Sequence, residues 1–189
     1  GKPIPSLQSI DHEEKVIYLG TFSKSIAPSL RISYMVLPLH LLKKYQESCS
    51  FYSTTVSKIQ QEVLREFIRG VYFGRHLNKM RGIYKNKHDF LVGELKKKNW
   101  VQNIAGDNAG LHVLVQVNTT LTEEEICKKA AECGIRLMGI REHYIHTPPE
   151  GRPVLLLGYG KPDEQEIQKG LEVLESIITG RNSNNCKKP

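Results

Sequence analysis

An α/β fold is predicted by three features of this sequence. Short apolar, β-rich runs occur at Val16 to Leu19, Ile32 to Leu37, Gly110 to Val117 and in "VLLLGYG". Between them lie longer stretches whose apolar residues recur at helical spacing. Turn and capping residues punctuate the junctions. With 189 residues, 39% of them apolar, the chain can bury the core of one domain or of two small ones.

The elements follow in order. "GKPIPSLQSIDHEEK" holds two prolines and no sustained period, so it reads as a loop. Val16 to Leu19 is short and apolar, as expected of a buried parallel strand, and Ile32 to Leu37 is a second such run, closed by Pro38. "LHLLKKYQESC" begins a helix. Val56, Ile59, Val63, Leu64, Phe67 and Ile68 share the face of another. Arg75 to Lys98 predicts a long basic amphipathic helix. After it come a strand at Gly110 to Val117 and a helix in "TTLTEEEICKKAAECG". Thr122 and Glu125 suit a capping box for that helix, and Gly134 suits its stop. "IRLMGI" and "VLLLGYG" read as strands around the loop "HTPPEGRP". A last helix opens on Pro162 and acidic residues, before the polar tail "GRNSNNCKKP".

Composition narrows the function. The net charge is +7, with the basic excess in the Arg75 to Lys98 stretch and the tail. Without zinc-finger spacing, a recognition-helix pattern or interleaved aromatics, that excess reads as a solvated helix face rather than a DNA-contacting one. No apolar stretch reaches the roughly 20 residues that span a bilayer, so a soluble, cytoplasmic protein is expected. Cys49, Cys127, Cys133 and Cys186 show no CxxC pair and read as reduced thiols, not as a metal site.

The chemistry concentrates in "YLGTFSKSIAPSLRISYMVLP". A single lysine, Lys24, stands in a small-residue turn between two strand-like runs, with hydroxyls at Thr21, Ser23 and Ser25 and Arg31 seven residues on. A lysine amine can capture an aldehyde, and a guanidinium fork with hydroxyls suits a phosphate. Together they form the donor set for pyridoxal 5′-phosphate. The same spacing is compatible with a solvated lysine and an arginine in a surface ion pair.

"GTFSKSIAPSLRISYMVLP" resembles the lysine segment of fold-type-I pyridoxal-phosphate enzymes. Within them it is most similar to the aminotransferase-like domain of MocR/GabR-type bacterial transcription regulators. "HLNKMRGIYKNKHDFLVGEL", "GDNAGLHVLV" and "LLLGYG" extend the resemblance from about Ile4 to Ile178. It implies that Lys24 is the catalytic lysine that links to the cofactor, that Arg31 binds its phosphate, and that Thr21 and Ser23 lie beside that phosphate. It makes Arg141, in "LMGIREHYI", the nearest candidate for the substrate carboxylate, although without gaps Glu142 falls on the family position. Arg152 is a second candidate.

By the same resemblance, residues 1–38 are the remnant of a cofactor-binding large domain. Residues 39–74 are connecting helices, 75–180 a C-terminal small α/β domain and 181–189 a tail. The acid for the pyridine nitrogen and the ring-stacking aromatic are expected upstream, as is a DNA-binding helix-turn-helix domain. The expected function is an effector-sensing domain that takes a small amino acid, homodimeric in a full-length regulator and bound to DNA only through the helix-turn-helix domain. The alternative is a genuine aminotransferase passing an amino group from an amino acid to a 2-oxo acid. The isolated segment is expected to be inactive.

Overall fold

Strand β1 (Tyr18–Thr21) runs into the lysine turn and returns as β2 (Ser33–Val36), the two paired antiparallel with Tyr18 opposite Val36 and Thr21 opposite Ser33. The computed structural model describes residues 5–106, 110–147 and 151–180. The predicted tail, with Cys186, and part of the "HTPPEGRP" loop lie outside these residues. The chain divides into two compact units, residues 1–81 and 82–189.

In the first unit, the expectation of buried parallel strands fails. A parallel return needs a long crossover, whereas the connection over 22–32 only folds back on itself. Neither strand is covered among the described residues: Leu19 is 74% exposed and Met35 53%. An apolar run reports a preference for burial, but not what provides the cover. Helix α1 (Leu39–Cys49) starts directly after Pro38, and α2 (Lys58–Arg69) is capped by the Ser57 hydroxyl, which accepts from the Gln60 N–H. Helix α3 (Tyr72–Lys96) begins in this unit and continues into the second.

The second unit carries a four-stranded antiparallel sheet of β3 (Val101–Ala105), β4 (His112–Val117), β5 (Met138–Gly139) and β6 (Val154–Gly158), in the order β3-β4-β6-β5. Val113, Val115 and Val117 on one face of β4 are fully buried. They join a core with Leu95 of α3, Ile126 of α4 (Glu123–Glu132) and Leu171 of α5 (Glu164–Thr179). Burying such a side chain contributes about 1.5–3 kcal/mol, which makes this face the main stabilising layer of the unit. Thr122 and Glu125 form the expected capping box, Asp163 and Glu166 form another at α5, and Gly134 takes the left-handed φ of 78° that ends α4.

Two departures concern strands. β3 is not legible in the sequence, because this edge strand buries no residue fully and carries a register irregularity between Val101 and Asn103. The predicted "IRLMGI" strand shrinks to Met138–Gly139, since the chain then turns into a short 3₁₀ segment at Arg141–His143. No helix among the described residues is long and apolar enough to cross a membrane.

Candidate functional site

The lysine turn is built by backbone bonds across its neck. The Phe22 N–H donates to the Ile32 carbonyl at 3.0 Å, extending the β1–β2 pairing, and the Ile26 N–H donates to the Phe22 carbonyl at 2.8 Å. This closes one tight turn around Ser23, Lys24 and Ser25. Thr21 Oγ1 donates to the Ile32 carbonyl and accepts the Ser23 N–H, each at 3.2 Å. Behind the turn, the Phe22 ring packs against Tyr34, with centroids 5.0 Å apart, and against the edge of Phe73 at 6.4 Å. Gly20 admits Tyr34: a Cβ there would overlap the phenol end of Tyr34, 2.5 Å from its hydroxyl oxygen.

This scaffold presents Lys24 exposed. Arg31 is also exposed and ends the short 3₁₀ turn Pro28–Leu30 in the left-handed region, with φ 51° and ψ 31°. A non-glycine residue there is strained by roughly 1–2 kcal/mol, and such strain gathers at ligand-binding turns. Among the described residues neither cation has a carboxylate within ion-pair distance. The loop therefore brings a primary amine, a guanidinium and the Ser23 hydroxyl together on one short closed segment. That donor set fits an aldehyde-bearing phosphate ester. Thr21 differs from the other three, because its one hydroxyl proton is committed to Ile32 and it shapes the turn. Phe22 was not singled out by sequence reasoning; its only signal was an aromatic residue inside an otherwise small-residue turn.

Arg141 lies in the second unit, at the start of the 3₁₀ segment after β5, and its N–H donates to Glu123 Oε2 at 2.9 Å. Arg141 and Arg152 line one cavity of about 490 Å³ with Thr122 and Glu124, so both candidate arginines reach the same space. A larger cavity of about 620 Å³, between the α4–β5 connection and α5, holds none of the predicted site residues.

Among the described cysteines, Cys127 is disfavoured as a nucleophile. Burial pushes the half-buried Cys127 thiol up, and the Glu142 and Glu123 carboxylates add to the shift. Cys49 is a free thiol as well. The expectation of reduced thiols fails at Cys133, which is disulfide-bonded, because spacing along the chain does not report approach through space. No cluster of three metal-ligating side chains occurs among the described residues.

Residues 2–167 match the family described as aminotransferase class I and II. The chain belongs to that family. Within the aminotransferase class I and II family, it is 39% identical over 177 residues to the HTH-type transcriptional regulator YdeL of Bacillus subtilis, covering 93% of this chain and 38% of that protein. It is 29% identical over 180 residues to the probable rhizopine catabolism regulatory protein MocR of Rhizobium meliloti, covering 94% and 36%. The chain thus spans less than two fifths of the length of these regulators. Among solved structures it is similar to the kynurenine aminotransferase of Pyrococcus horikoshii, determined in complex with PMP. The TM-score there is 0.77 at 24% identity, covering 97% of this chain and 45% of that one. That likeness establishes the fold-type-I architecture.

Proposed function

We propose that this chain is the cofactor-binding, effector-sensing portion of a MocR/GabR-type transcription regulator. The observation that carries the reading is the 39% identity, over nearly the whole chain, to an HTH-type regulator, whereas the solved aminotransferase stands at 24%. Pyridoxal phosphate, when bound, supplies an aldehyde that captures primary amines and a ring that withdraws electrons from them.

Lys24 would hold the aldehyde of the cofactor through its primary amine. Arg31 holds the phosphate as a planar fork, and the Ser23 hydroxyl donates beside it. Thr21 keeps the turn closed through its bonds to the Ile32 carbonyl and the Ser23 N–H. Arg141, in the second unit, is the residue proposed to take a carboxylate. An effector that binds two conformations of the full-length protein unequally changes its affinity for DNA through a helix-turn-helix domain outside this chain. The regulator acts as a homodimer in the cytoplasm.

The test uses the full-length protein incubated with pyridoxal phosphate, reduced with borohydride and digested for mass spectrometry. A pyridoxyl group on Lys24, absent from Lys24→Ala, is expected, together with DNA binding that responds to an amino acid. An adduct on another lysine would overturn the assignment of Lys24. Steady amino-group transfer to a 2-oxo acid, with DNA binding indifferent to amino acids, would establish the enzyme instead.

A further inference from the structure

The lysine turn hangs from a sheet of only two strands, β1 and β2. A two-stranded hairpin by itself is marginally stable in water, so the turn needs a second attachment to keep a fixed position. Phe22 supplies it. Its ring stands 5.0 Å from that of Tyr34 on β2, tilted by 36°, and 6.4 Å from that of Phe73, at an interplanar angle of 72°. Phe73 lies in the first turn of α3 and meets Phe67 of α2, with centroids 6.1 Å apart. All four aromatic residues belong to the first unit. The Tyr34 contact stays within the hairpin, whereas the Phe73 contact ties the hairpin to a helix.

The backbone of Phe22 carries that attachment in two directions. Its N–H donates to the Ile32 carbonyl at 3.0 Å, and Ile32 directly follows Arg31. Its carbonyl accepts the Ile26 N–H at 2.8 Å and so closes the turn that contains Lys24. One residue is thus bonded to both arms of the loop, the arm with the amine and the arm with the guanidinium. A shift of the ring that moves this backbone changes how the two cations stand relative to one another.

We infer that Phe22 is a positioning residue: its ring, held between Tyr34 and Phe73, sets the Lys24 amine relative to the Arg31 guanidinium, so that one ligand engages both. This rests on the reading that Lys24 takes the aldehyde and Arg31 the phosphate. The effect acts through the backbone and does not require Phe22 to touch the ligand. A ligand carrying both groups makes its second contact intramolecularly, so its advantage depends on how well the pair is held. A ligand carrying only the aldehyde needs only the exposed amine.

The experiment titrates pyridoxal phosphate, and pyridoxal as the same aldehyde without the phosphate, onto the full-length protein and follows the cofactor absorbance. The ratio of the two affinities reads the two-point contact. Phe22→Leu keeps an apolar side chain and both backbone bonds but gives up the ring contacts. It is expected to lower the ratio about 10- to 100-fold, as a shift of about 1 Å in a positioned group does. Pyridoxal affinity is expected to stay within about twofold. Phe73→Leu, outside the turn, should lower the ratio as well, and the two substitutions together should cost less than the product of their separate effects, because they remove one shared contact. Arg31→Ala should abolish the preference for pyridoxal phosphate. If it does so while Phe22→Leu and Phe73→Leu leave the preference unchanged, the positioning role is refuted and the reading of Lys24 and Arg31 stands. An equal fall for both aldehydes in Phe22→Leu also refutes it, since a merely loosened fold weakens both. If Arg31→Ala leaves the preference intact, or borohydride fixes the pyridoxyl group on another lysine of the parent, that reading falls and the inference falls with it. Should Phe22→Leu fail to fold, Phe22→Met replaces it, with an unbranched apolar side chain and the same outcomes.

Discussion

Replacing Arg31 by glycine or alanine separates the two roles that this residue combines, a strained backbone and a phosphate fork. Its φ of 51° and ψ of 31° place it in the left-handed region. Alanine keeps that strain, worth roughly 1–2 kcal/mol, and loses the side chain. Glycine relieves the strain but gives up roughly 0.5–1 kcal/mol of backbone entropy on folding. The net expectation is that Arg31→Gly is more stable than Arg31→Ala by about 0.5–1 kcal/mol, or about 2–4 °C in melting temperature at the upper end for a chain of this size. Ligand binding behaves differently. Charge-assisted hydrogen bonds contribute about 1.5–3 kcal/mol, so both variants should bind pyridoxal phosphate about 10- to 100-fold more weakly than the parent. Pyridoxal, which lacks the phosphate, should bind all three alike. Thermal melts of the unliganded proteins and absorbance titrations with the two aldehydes measure these quantities. Equal melting of the glycine and alanine variants would refute the strain argument. An undiminished preference for pyridoxal phosphate over pyridoxal in Arg31→Ala would refute the phosphate role.

Two further expectations concern the first unit. Thr21→Val removes the donor to Ile32 and the acceptor for Ser23, and should destabilise the turn by about 1–3 kcal/mol, whereas Thr21→Ser should be close to neutral. Amide exchange at Phe22 and Ser23 reports the difference, and equal protection in the two variants would remove Thr21 from its turn-shaping role. Asp11 has a carboxyl held below its ordinary 3.8, chiefly by the Val16 N–H, with the Glu13 and Lys15 N–H groups adding. A lowered folded-state pKa means that its contribution is present above 3.8 and is lost as pH falls through the lower folded value. The Val16 amide signal should therefore titrate below that ordinary value in the parent chain and lose this step in Asp11→Asn. A Val16 titration at or above 3.8 would contradict the loop geometry.

Much of the lysine turn was legible because its determinants are local. Thr21, Ser23, Lys24 and Arg31 lie within eleven residues, and a turn so short keeps them on one loop however the rest of the chain folds. Helix ends were legible for the same reason: the boxes at Thr122 and Asp163 join residues three apart. The edge strand β3 was not, since an edge with little buried surface has no clear alternation to read. Within "TEEE" nothing distinguishes Glu123 from Glu124. Glu123 accepts two backbone N–H groups while Glu124 stays exposed, and the difference comes from strands that arrive 18 and 31 residues later.

By itself, then, the sequence determined the donor set of the lysine turn, the family resemblance it carries, and most of the helices. These depend on interactions within a few residues, which spacing encodes directly. Only the tertiary structure decided that β1 and β2 pair antiparallel and uncovered, that Arg141 and Arg152 share one cavity, and that Glu123 closes the end of the β5–β6 ladder. Each of these depends on segments far apart in the chain meeting in space, where burial and unpaired N–H groups select the partner.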